Sequence, residues 1–465
     1  MSENEIRQVG LVGLGTMGRA LAGALAREEF DVFAVEPLAS DVKEVPSGVT
    51  LEGDISSMVA ALLPPRRILL MVTAGEPVDG VLDQLGPILE TGDVVIDGGN
   101  SNFIDTDRRS TAMEGEGIGY VGAGISGGEE GARNGASVMT GGSDEAFAVV
   151  SEILEAISAK SEGKVCCALL GSGGAGHFVK MVHNGIEYGL MQAIGEAYLL
   201  LKNGLKLAPN ECASIFEHWN TGALNSFLVG ITADILRKPD DQSGESLIEL
   251  IDDAAAQTGT GRWMVSEAMA LGVAVPTIAE AVAARSLSGD RDVRDAVRHN
   301  LSPKTDEREF SADNVRDALL SSFLACYAQG FAVLSAGSEK YDWPHSEKEI
   351  AAIWQHGCII RSAILGTIEQ AYDEQPDLPH LFASEGIVDP LNEAQQGTRE
   401  TVTAAVQNGV PVPALSSALA YLDGFAADRL WTSLTQAQRD YFGAHRYRRT
   451  DRDGSFHSDW PGGGD

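Results

Sequence analysis

A chain of 465 residues, 44% hydrophobic and 6% aromatic, is long enough for two or three domains and for a large core without cross-links. Its formal charge is −33, from 67 acidic against 34 basic residues. So acidic a surface repels phosphate backbones, which argues against nucleic acid as a partner. No apolar run reaches the roughly 20 residues of a membrane span, and the acidic start lacks the positive charge of a signal peptide, so a cytoplasmic protein is expected.

In chain order, short apolar runs alternate with helical stretches through residue 175. Strands are expected at Val9–Leu14, Asp31–Glu36, Arg67–Val72, Asp93–Asp97 and Tyr120–Ile125, with a helix at Met17–Glu29. Runs this continuous suit a parallel sheet covered on both faces, so residues 1–175 read as a doubly wound α/β domain. From Gly176 the pattern turns helical, at Gly176–Leu201, Asn210–Trp219, Asn225–Leu236 and Asn314–Leu334, giving a large all-α domain over 176–433. A weak echo between the segments beginning at Tyr188 and Tyr327 hints at duplicated helices. Residues 434–465 form an extended C-terminal tail, which composition alone reads as a frayed end. The five cysteines form no C-x-x-C pair and no zinc spacing, so no structural metal is expected.

Gly13-x-Gly15-x-x-Gly18 ends the first strand and opens the first helix. Glycine there allows a tight turn and lets the backbone approach a pyrophosphate at a helix N-terminus, the Rossmann dinucleotide pattern. Glu36 ends the second strand, where a carboxylate accepts bonds from the ribose hydroxyls of NAD and repels the 2′-phosphate of NADP. Pro37 and Leu38 offer that phosphate no partner, so NAD is expected over NADP.

Lys180, Asn184, Glu187 and Tyr188 share one face of a helix that is otherwise strongly apolar, with His183 beside them. A buried polar stripe next to a dinucleotide domain points to an acid/base pair lining a cleft, although internal pairing would give the same pattern. The chemistry requires a neutral Lys180 and a protonated Glu187. The glycine-rich Ser126-Gly127-Gly128 and Asp97-Gly-Gly-Asn100-Ser101 follow apolar strands, where α/β folds bind ligands.

Together Gly13–Gly18, Ile96–Ser101, Ser126–Glu129, Gly176–Tyr188 and Gln436–His445 resemble the long-chain, decarboxylating 6-phosphogluconate dehydrogenases, in order along nearly the whole chain. The resemblance implies metal-independent oxidative decarboxylation of 6-phosphogluconate to ribulose 5-phosphate, with Lys180 as general base and Glu187 as general acid. It implies that Ser126, Gly127, Gly128, His183 and Asn184 hold the sugar acid, and that Asn100 stands between substrate and cofactor. Tyr188, Thr260 and Arg285 match phosphate positions. Arg439 and His445 match residues lent by the neighbouring subunit of a homodimer, which turns the frayed end into a dimerisation element. Leu14, Thr16, Met17, Val72 and Thr73 join the glycines and Glu36 around the cofactor. This chain departs from the family pattern at Thr258 and Thr73, where Lys is common, and at Glu36-Pro37-Leu38. The competing readings are a β-hydroxyacid dehydrogenase of the 3-hydroxyisobutyrate type, whose substrate has no phosphate, and a dinucleotide sensor without chemistry.

Acid-rich, lysine-poor composition of this kind resembles halophile proteins, in which molar salt shortens the screening length to roughly 3 Å. The melting temperature is therefore expected to rise steeply between low and molar KCl; a value that does not move would contradict that reading.

Overall fold

The computed structural model describes residues 7–37, 44–161, 163–257, 259–301, 305–306 and 308–460. It has two compact units, the first reaching Ala418 and the second starting at Leu419. Leu38 and Thr258 lie outside the described residues.

The first unit begins with β1 (Gln8–Val12), α1 (Thr16–Arg27), β2 (Asp31–Val35), β3 (Val49–Leu51), α2 (Ile55–Ala61), β4 (Arg67–Leu70), α3 (Glu76–Leu85), β5 (Val94–Asp97) and α4 (Phe103–Gly115). It continues through β6 (Gly119–Ser126), α5 (Gly128–Asn134), β7 (Ser137–Gly141), α6 (Asp144–Ala156), the hairpin β8 (Lys160–Ser161) and β9 (Lys164–Val165), and β10 (Cys167–Leu169). Eight strands form one sheet in the order β10-β7-β6-β5-β4-β1-β2-β3. Its central strands are buried on both faces. Leu21, Leu25, Val150 and Ile153 of α1 and α6 cover one side, and Met58, Leu82, Leu85 and Met113 of α2, α3 and α4 cover the other. Strand order reverses between β1 and β4, which leaves a crevice beyond their carboxyl ends, where such sheets bind ligands.

The doubly wound domain is present, with two differences from the sequence reading. The first strand ends at Val12 rather than Leu14, because Gly13 turns the chain at φ +102°. The sheet is not wholly parallel, since β7 runs antiparallel to β6. Only the short α5 separates those two strands, and a parallel return needs a crossover of roughly a dozen residues or more. The expected strands also omit β3, β7, β8, β9 and β10; apart from the five-residue β7, each of these has only two or three residues, too few to show a pattern.

The helical region comprises α7 (Ala175–Leu199), α8 (Pro209–Trp219), α9 (Phe227–Arg237), α10 (Thr260–Ala270), α11 (Pro276–Gly289), α12 (Arg291–Arg298), α13 (Ala312–Tyr341), α14 (Glu347–Trp354), α15 (Ala363–Glu374), α16 (Glu385–Asn408) and α17 (Pro413–Ala426). The segments with echoing sequence fall on α7 and α13, which pack antiparallel. Gly337 meets Phe178, Gly330 meets Ile186 and Gly189 meets Cys326. By length and composition α13 could cross a membrane, but 83% of its most apolar window is buried inside the protein, as in a core helix.

The N-terminal half of α7 lies directly on the sheet. A Cβ at Gly176 would sit 2.5 Å from the Met139 carbonyl oxygen and 2.6 Å from that of Gly122, and one at Gly124 would overlap Lys180 Cβ. Hydrogen in place of a side chain at these positions lets the helix backbone touch β6.

The second unit contains α18 (Thr432–Gly443) and a segment folded back on it. Asp440, wholly buried, accepts bonds from Arg446 N at 2.8 Å and from His457 Nδ1 and Trp460 Nε1 at 2.9 Å. Burial alone would raise the pKa of this carboxyl, but the bonds from His457, Trp460 and the backbone outweigh it and hold the value to about 2. Tyr447 and Phe456 also exchange backbone hydrogen bonds at 2.8 Å. A frayed end does not describe this segment.

Candidate active site

The turn after β1 carries the dinucleotide fingerprint. Besides the positive φ of Gly13, a Cβ there would lie 2.5 Å from the Met71 carbonyl oxygen, so only glycine serves. Among the described residues a Cβ at Gly15 would meet nothing within 4 Å, and no side chain caps α1. Open space and free N–H groups at a helix N-terminus are what a pyrophosphate requires, so these residues suit a dinucleotide. Glu36 turns toward this site, and its Oε2 accepts the Leu14 N–H at 2.6 Å. Thr16 is exposed and Met17 half-buried, whereas Gly18 is buried in the first turn of α1. Val72 and Thr73 follow β4 on the far side of the crevice, half-buried and exposed respectively.

Asn100 is exposed in the turn after β5. Beneath that turn Asp97 is fully buried and accepts hydrogen bonds from Ser101 Oγ at 2.7 Å and Tyr120 OH at 3.0 Å. Arg109, also buried, lies 3.7 Å from Asp97 and makes a forked pair with Asp79 at 2.9 and 3.0 Å. Asp79 is correspondingly held down to about 2, chiefly by its bonds from Arg109.

The stripe on α7 is buried as its pattern suggested. Ser126, at the end of β6, lies with its Oγ 2.9 Å from His183 Nε2. His183 Nδ1 is 3.2 Å from Asn184 Oδ1 and 3.5 Å from Lys180 Nζ, and Glu187 Oε2 stands 3.8 Å from the same nitrogen. Lys180, His183 and Asn184 are buried, and the Glu187 side chain keeps 23% of its exposure. Burial lowers the Lys180 pKa against the pull of Glu187, and raises that of Glu187 against the pull of Lys180 and Arg285. The imidazole of His183 is pushed well below its usual range, first by burial and then by Lys180, so it stays neutral. Lys180 and Glu187 are thus each driven toward the uncharged form on one face of α7.

One turn further along α7, Tyr188 carries the Arg285 guanidinium on its ring at 3.5 Å. Arg285 also donates to the Ala256 carbonyl at 3.3 Å. Gly261 packs against the Tyr188 ring, and Thr260 is the first residue of α10, whose N-cap is Gly259 and which no side chain caps among the described residues. Tyr188, Thr260 and Arg285 therefore gather around a helix N-terminus beside a cation. Arg439 and His445 belong to the second unit, where both are exposed and Arg439 donates to Gln436 Oε1 at 3.1 Å. His445 is flanked by Ala444 and Arg446, both with left-handed backbone at φ +48° and +60°.

Two participants escaped the sequence reading. The loop Gly357–Ile359 packs on the Ser126–Gly128 turn, with the Gly357 carbonyl against Gly127 and Ile359 N donating to Ser126 Oγ at 3.4 Å. Nothing local marks it, because its partners lie more than two hundred positions away. The other is His177, one turn before Lys180 on the same stripe, which that spacing could have revealed.

Known proteins agree with this geometry along the whole chain. Residues 8–171 match the NAD binding domain of 6-phosphogluconate dehydrogenase, and residues 176–460 match its C-terminal domain. The chain belongs to the 6-phosphogluconate dehydrogenase family. A Bacillus subtilis NADP(+)-dependent, decarboxylating 6-phosphogluconate dehydrogenase is 45% identical, covering 98% of this chain and 99% of its own length. An NAD(+)-dependent, decarboxylating enzyme of the same organism is 44% identical over 97% and 99%. The solved Plasmodium falciparum 6-phosphogluconate dehydrogenase superposes with a TM-score of 0.91 at 36% identity, over 97% of this chain and all of that one.

Proposed function

We propose that Lys180 and Glu187 divide the acid–base work of a decarboxylating 6-phosphogluconate dehydrogenase, the activity that family membership gives this chain. The observation that carries this division is the buried Lys180–His183–Ser126 cluster with Glu187 on the same face, both ionisable groups displaced toward neutrality.

A nicotinamide dinucleotide, when bound, supplies the hydride acceptor for C3 of the substrate; the Gly13–Gly18 turn, Glu36, Val72, Thr73 and Asn100 are the residues that would hold it. As C3 is oxidised, neutral Lys180 takes the proton of the 3-hydroxyl. The resulting 3-keto acid loses CO2, and the electron pair of the broken bond delocalises onto the new carbonyl. Lys180 returns the proton it took to that oxygen, which gives the enediol; Glu187, still protonated, then delivers its proton to C1 while Lys180 takes back the hydroxyl proton, which gives ribulose 5-phosphate. Ser126, Gly127, Gly128, His183 and Asn184 orient the sugar acid, and the open N-terminus of α10 with Thr260, Tyr188 and Arg285 takes the phosphate. A phosphate site at this helix end favours the phosphorylated substrate over 3-hydroxyisobutyrate, and an intact acid–base pair favours an enzyme over a sensor.

The second unit exposes Trp431 at 72%, Leu434 at 65% and Phe442 at 73%, apolar surface that a monomer rarely leaves in water. This supports a homodimer in which Arg439 and His445 complete the neighbouring subunit's site. For the cofactor, the carboxylate of Glu36 at the mouth of the glycine turn supports NAD, because it would repel a 2′-phosphate.

Four measurements test this reading. Activity needs Lys180 deprotonated and Glu187 protonated, so kcat is expected to fall in acid as Lys180 gains its proton and in alkali as Glu187 loses its own. Lys180→Ala should cost about 10²–10⁴ in turnover at every pH while keeping cofactor binding, and unchanged turnover removes the lysine from the chemistry. With NAD, kcat/KM is expected to exceed that with NADP by roughly tenfold or more, about 1.4 kcal/mol; the reverse order overturns the reading of Glu36. Finally, inactive Lys180→Ala and His445→Ala chains, refolded together, should regain roughly a quarter of wild-type activity, because half of the randomly paired dimers carry one intact site. No recovery would mean that each tail serves its own chain.

A further inference from the structure

We propose that His177 is a positioning residue: by fixing the Gly99–Asn100 peptide, it sets the direction of Asn100 relative to Lys180. The proposal rests on the reading of Asn100 given above.

His177 is buried on α7 one turn before Lys180. Its Nε2 lies 3.1 Å from the Gly99 carbonyl oxygen and its Nδ1 2.7 Å from Thr106 Oγ1. A carbonyl only accepts, so Nε2 carries the proton and Nδ1 accepts from the Thr106 hydroxyl. Burial lowers the pKa of the ring, against the pull of Asp97, and the neutral tautomer that this pattern needs is therefore kept. The N–H of Gly99 is also fixed, donating to Asp97 Oδ1 at 3.1 Å. Both peptide groups that meet at Gly99 are thus held, one by Asp97 and the other by His177.

Glycine has the widest backbone freedom of any residue, so the direction of Asn100 depends on these two bonds. Because the imidazole grows from the helix that carries Lys180, His177 ties the turn on the cofactor side to the base itself. A displacement of about 1 Å between reacting groups costs on the order of 10²-fold in rate. A histidine that merely fills the core would make the same contacts without this coupling, so the test must separate the two.

The test is a double-mutant cycle on the full-length enzyme, read as kcat and KM with 6-phosphogluconate and its preferred dinucleotide. His177→Phe, which keeps the volume but not the donor, is expected to lower kcat by roughly 10–100-fold with both KM values within about threefold. His177→Gln, whose amide can reach the same carbonyl, should recover most of that loss. In an Asn100→Ala background, His177→Phe should cost less than about twofold more, because its effect passes through Asn100. Should His177→Phe fail to fold, Thr106→Val loosens the same ring from α4, and its several-fold loss of kcat should likewise vanish in the Asn100→Ala background. Multiplicative losses in the double variant, or a Gln variant no better than Phe, overturn the proposal. Asn100→Ala with wild-type kcat would overturn the role given to Asn100, whereas an impaired Asn100→Ala beside a fully active His177→Phe would overturn the positioning role alone.

Discussion

The contact of α7 with the sheet is the constraint from which the site follows. Ordinary helix–sheet packing interposes a layer of side chains. Here Gly122 and Gly124 on β6 and Gly176 on α7 remove that layer, and the helix backbone reaches the strand. One consequence is burial: Lys180 and His183 have no route to bulk water along the sheet side. Another is reach, since Ser126 at the end of β6 meets His183 one helical turn beyond Lys180. The third is fixation, because His177 on the same face grips the turn after β5. A side chain at position 124 would lift the helix and undo all three together.

Burial decides the electrostatics against a large opposing term. A lysine within a chain of net charge −33 should be stabilised as a cation, and Glu187 on its own helix adds to that pull. Desolvation nevertheless prevails at both groups, because the interior removes the water that would solvate either charge. The same acidic surface repels a phosphorylated sugar acid at long range. Close to the site the balance reverses, with Arg285 on Tyr188, exposed Arg262 one turn into α10, and the positive end of that helix. At the proposed phosphate site, capture rests on short-range cations, and added salt weakens the long-range repulsion more than these contacts.

What the sequence disclosed is what local spacing can encode. Gly13, Gly15 and Gly18 at a strand end, with Glu36 closing the next strand, place the cofactor turn without further information. The period of Lys180, Asn184 and Glu187 puts them on one face, and their apolar neighbours imply that this face is buried. The antiparallel β7 was hidden, because its direction follows from the shortness of α5 and not from its own residues. The Gly357–Ile359 loop was hidden for a stronger reason, since its partners belong to another part of the chain. The N-terminus of α10 needed the fold to bring Tyr188 and Arg285 beside it before it meant anything. His177 was legible in principle, but a histidine on an apolar face is more often a packed core residue until a partner such as the Gly99 carbonyl is seen.

The helix α13 marks where composition stops discriminating. Its apolar content meets the demands of a membrane span, yet the same residues solve a different problem, that of surrounding α7 on the side away from the sheet. A helix buried on every face must be apolar all round, whether lipid or protein surrounds it. Small residues at 326, 330 and 337 distinguish the two cases, because each admits a specific neighbour on α7, namely Gly189, Ile186 and Phe178. Lipid makes no such positional demand. The catalytic helix is therefore held between two surfaces, β6 and α13, each of which approaches it through small residues. That double contact leaves α7 little freedom to shift, and the base proposed at Lys180 needs that rigidity to meet one hydroxyl proton.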